Sequence, residues 1–402
     1  MVKNKTFRHL SLFSGCGGID LGFLGGFKIQ TEFIFPKKKT KGVKLPKNKF
    51  KTVFANDIKK ELLNFWKKNL LKDESIFHLG SVVDLVKQHN KTKKIFPNNI
   101  DVLTGGFPCQ DFSVSGLRKG FGSHKSHLNK KQKTKKNETR GKLYLWMKEV
   151  IRITNPKIFI AENVRGLVNM DGVLNIIKND FKNTGSGYKI FSKELYAPDH
   201  GIPQSRRRIF IIGINQDFIK KNKIKLTDND LFPDIEFSSK QDLFIKNLYP
   251  KSKIFFRDLK EPENETKDLS QQFYSKAKYN KGTQGQTEVN EKGIAPTIRS
   301  EHHGNIEFRY LDKKNGGKNS TLKKQRRLTV RECARIQTFP DWYQFSGKRT
   351  TGGTRRAGNP RTNDNYREGT KYTQIGNAVP VKLAKEMGLH LKRYLGIIKD
   401  TN

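Results

Sequence analysis

The apolar positions of this chain fall into short buried runs that alternate with helical stripes. Phe7–Phe13 reads as a first strand running into the glycine turn Ser14-Gly-Cys-Gly-Gly18, and Ile19–Leu24 then follows a helical pattern. Thr52–Ala55 reads as a second strand closed by Asn56-Asp57, and Ile58–Asn69 as a helix with Leu62, Leu63 and Trp66 on its apolar side. Ile100, Val102 and Leu103 form a buried run that stops at Gly105-Gly106. Leu143–Ile153 is an amphipathic helix, and Pro156–Ala161 is another buried strand ending in Glu162-Asn-Val164. Tyr188–Tyr196 and Ile209–Ile214 read as further strands. In the helix from Val381 to about Leu395, Leu383, Met387 and Leu391 recur at i, i+4 and i+8 and make one buried stripe. Strands alternating with helices predict an α/β protein with a doubly wound, Rossmann-like sheet.

From Asn215 to about Lys324 the pattern fades into a polar stretch rich in Lys, Asn and Asp. It reads as a second, smaller and irregular domain. The predicted division is 1–214 plus 372–402 for the large domain and 215–371 for the small one. Arg327–Gln337 reads as a helix with Thr329 as N-cap and Glu332 three residues later, a capping box.

Open α/β sheets carry their chemistry beyond the carboxyl ends of the strands. Three predicted strand tips bear groups suited to it. Cys109 follows Gly106-Phe-Pro on a proline-fixed turn, where a thiolate could serve as nucleophile; a small buried hydrophobe is the plain alternative. Glu162 sits at a parallel strand's tip, as either a site carboxylate or a solvated loop residue. Asp57 is placed to hold ribose hydroxyls, to cap a helix, or both. Strand period two would put Gln204, Arg206 and Arg208 on one face, where guanidinium forks suit phosphate or a pyrimidine carbonyl; a basic edge facing solvent is the other reading. His302-His303 has no third ligand spaced with it, and no metal is expected.

Charge narrows the partner. The chain has 402 residues with Lys+Arg 80 against Asp+Glu 38, a net charge of +42. That excess points to a polyanion, and nucleic acid is the commonest. Phe35–Lys51 has the composition of a solvated basic loop, and His124–Arg140 that of a basic insertion within a mobile loop. The three cysteines form no C-x-x-C pair, which argues against zinc or a disulfide framework and fits a reducing cytoplasm. No secretory signal and no apolar run of bilayer length are seen, so a soluble protein without membrane contact is expected.

Six blocks in register resemble the DNA (cytosine-5) methyltransferases of bacterial restriction-modification systems. They are Phe13-Ser-Gly-Cys-Gly-Gly18, Gly106-Phe-Pro-Cys-Gln110, Glu162-Asn-Val164, Gln204-x-Arg206-x-Arg208, the Arg327–Gln337 helix with Phe339-Pro340, and Gln374-Ile-Gly-Asn-Ala-Val-Pro380. The resemblance implies a large S-adenosylmethionine (SAM) domain, completed by the last helix, and a small target-recognition domain. Cys109 would be the nucleophile, Glu162 the carboxylate acting on the base, and Arg206 and Arg208 the pocket arginines. Phe13, Ser14, Gly15, Gly17, Gly18, Asp57, Ile58, Gly106, Pro108, Asn377 and Ala378 would hold the cofactor, leaving S-adenosylhomocysteine as product. Gln110, Ser113, Ser115, Gln204 and Arg299 would face nucleic acid. Gly80-Ser81-Val82 stands where the family usually has Gly-Asp-Ile, so an acidic contact to the adenine amine is absent or supplied differently. The implied partner is double-stranded DNA, met by a cytoplasmic monomer, with a cognate endonuclease acting separately. A tRNA cytosine methyltransferase of the same superfamily and an inactive DNA-binding homologue are the alternatives.

Overall fold

The computed structural model describes residues 6–29, 43–71, 73–92, 94–108, 142–170, 172–226, 228–235, 287–288, 294–299, 307–311, 324–327, 330–347 and 371–396. In chain order the main elements are β1 (Phe7–Leu12), α1 (Gly18–Leu24), β2 (Phe50–Asp57), α2 (Lys60–Asn69), β3 (Phe77–Leu79), α3 (Val82–Thr92), β4 (Val102–Gly105), α4 (Leu143–Thr154), β5 (Ile158–Val164), α5 (Val173–Lys182), β6 (Tyr188–Tyr196), β7 (Arg207–Asn215), α6 (Gln216–Lys221), α7 (Val330–Ile336), α8 (Lys371–Asn377) and α9 (Val381–Gly396).

The seven strands form one sheet in the order β3-β2-β1-β4-β5-β7-β6. β7 runs antiparallel to both its neighbours, and the pairings from β3 through β5 are parallel. The winding direction reverses between β1 and β4, which is the switch point where such sheets open a crevice. β4 and β5 are buried along almost their whole length because helices cover both faces. Strand alternation divides their side chains. Leu103, Phe159 and Ala161 enter a core with α3, α4 and α5, while Val102, Ile158 and Ile160 enter a core with α1 and α9. Gly213 of β7 gives room to a neighbour, since a Cβ there would fall 2.0 Å from the Phe159 ring.

The last helix returns to the first. Leu383, Met387 and Leu391 are buried as the stripe predicts. A Cβ on Gly22 would come within 2.7 Å of Val381 O and the Lys385 nitrogen, so α1 and α9 cross backbone to backbone. A third core joins Phe65 and Trp66 of α2 to Cys16, α7, Phe339, Tyr343 and Ile375.

Several boundaries differ from expectation. β5 runs on through Glu162-Asn163-Val164 because β7 continues to pair with it there. The helix expected from Arg327 begins at Val330; Lys324–Arg327 is a strand, and Thr329 lies outside the described residues. Lys371–Asn377, not read as helical, forms α8. Within the lysine-rich stretch 35–51, Val43–Lys44 pairs with Lys28–Ile29 and Leu45 is buried, so its second half is built into the fold; residues 35–42 lie outside the described residues.

Candidate active site

Beyond β1 the chain turns sharply. Phe13 takes φ 51°, and Gly15 and Gly17 take φ 53° and 67°, left-handed values that glycine adopts without strain. The turn is pinned from outside. The Gly15 N–H donates to Asp57 Oδ2 at 2.9 Å, the Trp66 indole N–H donates to Gly15 O at 2.9 Å, and the Tyr343 hydroxyl donates to Cys16 O at 2.8 Å. Asp57 also accepts the Lys59 N–H, so the strand-tip acid stabilises the start of α2 as well as the turn. Burial pushes its carboxyl up against these hydrogen bonds.

This turn walls a cavity of about 280 Å³, near the low end of small-molecule sites (~300 Å³). Phe13, Ser14, Gly15, Gly18, Asp57, Ile58, Gly106, Pro108, Asn377 and Ala378 all line it. Gly17 does not: a Cβ there would lie 2.4 Å from Leu70 Cδ1, so this glycine serves packing against α2. At Gly18 a Cβ would fall 2.6 Å from Val379 O, which shows how closely the segment after α8 seals the cradle. Ser81 lines the cavity too, and its hydroxyl caps α3 by accepting the Val83 N–H at 3.3 Å. A buried acid, a glycine turn and the apolar residues Phe13, Ile58, Val82 and Leu143 in one lining fit an adenosyl ligand with a charged tail.

Glu162 and Arg208 also line the cavity. The register pairs Val164 with Arg208 and Glu162 with Phe210, so acid and cation sit diagonally on one face of the β5–β7 ladder. Arg208 Nε lies 3.0 Å from Glu162 Oε1. Burial pushes the Glu162 carboxyl above its ordinary value, and the charges of Arg208 and then Arg206 pull it back. Gly106 gives the acid clearance, since a Cβ there would meet Glu162 Oε2 at 3.1 Å.

The sequence model of C-5 cytosine-specific DNA methylases matches residues 7–393. The chain belongs to that family. It is 31% identical to the type II methyltransferase M.BspRI of Lysinibacillus sphaericus, over 100% of this chain and 85% of the relative. It is 32% identical to M.BsuRI of Bacillus subtilis, over 94% of this chain and 77% of the relative. Among solved structures, the S. pombe Dnmt2 methyltransferase superposes with a TM-score of 0.58 at 16% identity, covering 96% of this chain and 99% of that one, a likeness of fold. The family's methyltransferases are SAM-dependent, and the seven-stranded α/β sheet is their fold.

Against this methylase frame the remaining predicted positions separate. Cys109, Gln110, Ser113 and Ser115 lie outside the described residues. The two described cysteines, Cys16 and Cys333, are buried, and burial pushes the Cys16 thiol up, away from nucleophile chemistry. The period-two reading of Gln204, Arg206 and Arg208 holds only for Arg208, because β7 starts at Arg207 and the residues before it turn inward. Gln204 is fully buried: its amide donates to Gln337 Oε1 at 3.1 Å and accepts the Ile298 N–H at 2.9 Å. It clips residues 294–299 and Gln337 to the segment before β7. Arg206 is buried as well, donating to Ile298 O and Gly376 O, so it reaches Glu162 only as a charge at longer range. Arg299 is half-buried at the end of the segment 294–299, which joins residues 203–206 through the Gln204–Ala295 bridge.

Two features carried no sequence signal that was read. Gln337 ties three segments by donating to Ile375 O and Ala378 O while accepting from Gln204. Asp20, at the cavity wall, accepts from Ser11 and Thr52 hydroxyls and lies 3.5 Å from His9 Nδ1, while His9 Nε2 bonds Thr104. Burial lowers His9 to about 3 and raises Asp20 to about 7, so the histidine stays neutral. An acid in the first turn of an otherwise apolar helix was the available clue. Among the described residues no helix is long and apolar enough to cross a membrane, and no group of three or more His, Cys, Asp or Glu is placed to hold a metal ion.

Proposed function

We propose that this chain methylates C5 of a cytosine flipped out of a specific short duplex sequence, through a covalent adduct between Cys109 and C6. The Glu162–Arg208 pair beside the glycine-walled cavity is the observation that supports this most directly. Phe13, Ser14, Gly15, Gly18, Asp57, Ile58, Asn377 and Ala378 would hold SAM, which when bound supplies an electrophilic methyl and leaves as S-adenosylhomocysteine.

C5 of cytosine is a poor nucleophile until electrons are pushed into the ring. The Cys109 thiolate adds to C6, and negative charge builds on N3 and O2. A protonated or hydrogen-bonded Glu162 at N3 and the Arg208 guanidinium near O2 disperse that charge. Removing one such preorganised contact typically costs about 3–4 kcal/mol of barrier. C5 then takes the methyl, loses its proton, and Cys109 leaves as C6 regains its double bond. The base must be out of the stack throughout, at a cost of a few kcal/mol.

In the same reading the protein is a cytoplasmic monomer that protects host DNA, with a separate endonuclease as counterpart. The segment that reads the sequence lies within the expected 215–371. Tritium transfer from labelled SAM to duplex DNA, run beside tRNA, tests the substrate, and covalent trapping on 5-fluorocytosine duplex tests the adduct. C109A should lose both signals; methylated product from C109A would remove Cys109 from the role, and transfer to tRNA alone would replace the DNA reading.

A further inference from the structure

A second groove, of about 600 Å³, opens at the other end of the sheet and shares no residue with the cavity described above. β7 starts with Arg208 facing Val164 and ends at Asn215 opposite Tyr188. The run of extended chain between Arg208 and the groove is about 23 Å long. The groove's floor is Tyr188 and Ile190 of β6, the last strand of the sheet. Tyr188 is fully buried and its hydroxyl donates to Pro156 O at 2.9 Å, so the floor is fixed. Gln216 rests on Gly187 (φ 87°), where a Cβ would meet its amide nitrogen at 3.3 Å. Around this floor α5 supplies Lys178 and Lys182, β6 supplies Lys189 and α6 supplies Lys220. Lys178 is half-buried and the other three are exposed. The lining holds no Asp or Glu. Asp180 of α5 is turned to α4, where it accepts from Tyr144 and Lys148. Among the described residues none of the four lysines is in an ion pair. Lys182 and Lys220 stand in the last turns of their helices, where a cation stabilises the helix end. Lys178 and Lys189 have no such place; Lys189 Nζ lies 5.2 Å over the Phe191 ring.

We propose that this groove is a second seat for the phosphate backbone of duplex DNA, separate from the cleft that holds Glu162 and Arg208. Four cations from three elements converge on one fixed floor without a counter-charge, and a polyanion supplies it. Ammonium groups meet phosphates as point charges and read no bases, so the seat is indifferent to sequence. DNA is the polyanion on which the family acts, and the net charge of +42 favours it over the whole chain. A duplex engaged at the carboxyl ends of β4 and β5 has its contacts a strand's length away. The groove therefore takes a different stretch of DNA and keeps further sites at high local concentration around the enzyme. The inference goes beyond the methyl-transfer reading and needs no cytosine.

The test uses the full chain and a short duplex of A·T pairs only, which holds no base to methylate. Lysine acetylation of the wild type, read by peptide mass spectrometry, should slow at Lys178, Lys182, Lys189 and Lys220 when the duplex is added. Fluorescence anisotropy over a range of salt then compares two variants of equal net charge. One is K178Q/K182Q/K189Q/K220Q. The other, K49Q/K68Q/K91Q/K94Q, changes exposed lysines outside the groove. The slope of log Kobs against log salt should become shallower by about 3–4 in the groove variant and stay within about 1 of wild type in the other. Both variants should keep the wild-type thermal transition. Groove lysines that acetylate equally fast with duplex bound would overturn the inference. So would equal loss of slope in the two variants, which would mean that net charge alone is felt. Protection of the groove by tRNA but not by the duplex would also overturn it and give the seat to RNA.

Discussion

Arg208 reaches Glu162 from the neighbouring antiparallel strand, Nε to Oε1 at 3.0 Å, with both side chains largely shielded from water. The acid is therefore pulled two ways: burial favours its neutral form and the guanidinium its charged form. The two influences oppose each other at one carboxyl.

Replacing Arg208 tips the balance. A carboxyl whose value is raised on folding contributes its stability at low pH and loses it as pH rises through the folded value. R208A raises Glu162 further, so its stability deficit should be small near pH 4 and grow toward pH 8, reaching about 3–5 kcal/mol if the charge is left buried and unpaired. Urea unfolding at pH 4, 6 and 8 checks this. A deficit independent of pH would mean that the pair is held by packing alone.

Asp20 gives a second pH signature of the same sign. Its carboxyl titrates at about 7 in the fold against 3.8 as its reference, so native protein keeps a proton that unfolded chain has released. Wild-type stability should fall between pH 4 and 7 relative to D20N, by on the order of 2–4 kcal/mol. Parallel stability curves for the two proteins would rule out a buried, proton-holding Asp20.

Gln204 separates structure from recognition. Q204L leaves the Ile298 N–H and the Gln337 amide oxygen without their partner. Stability should drop by about 1–3 kcal/mol, while the salt dependence of DNA binding stays unchanged, as no phosphate contact is lost. A flatter salt slope at wild-type stability would return Gln204 to the DNA surface.

Much of this was legible in the chain. Buried runs ending in Gly105-Gly106 and in Glu162 located β4 and β5, because parallel strands covered on both faces must be apolar throughout. The stripe of Leu383, Met387 and Leu391 located α9. What escaped was set by partners far along the sequence. Gln204 and Arg206 turn inward because residues 294–299 dock on them some ninety positions later. β5 outran its apolar run because β7 paired with the polar Glu162 and Asn163. Gly17 looked like part of a ligand cradle, yet its surroundings are Leu70, Trp66 and Tyr343. Local pattern rules see neither a docking segment nor the far side of a glycine.

The close seat of Val379 on Gly18, and of α9 on Gly22, has a consequence for biosynthesis. A ribosome delivers these glycines early and the residues that cover them near the end of the described chain. Until α9 emerges from the exit tunnel, α1 has no lid on its outer face and the cleft lacks one wall. A polypeptide without α9 would thus leave Gly22 uncovered and the cleft open beside α1.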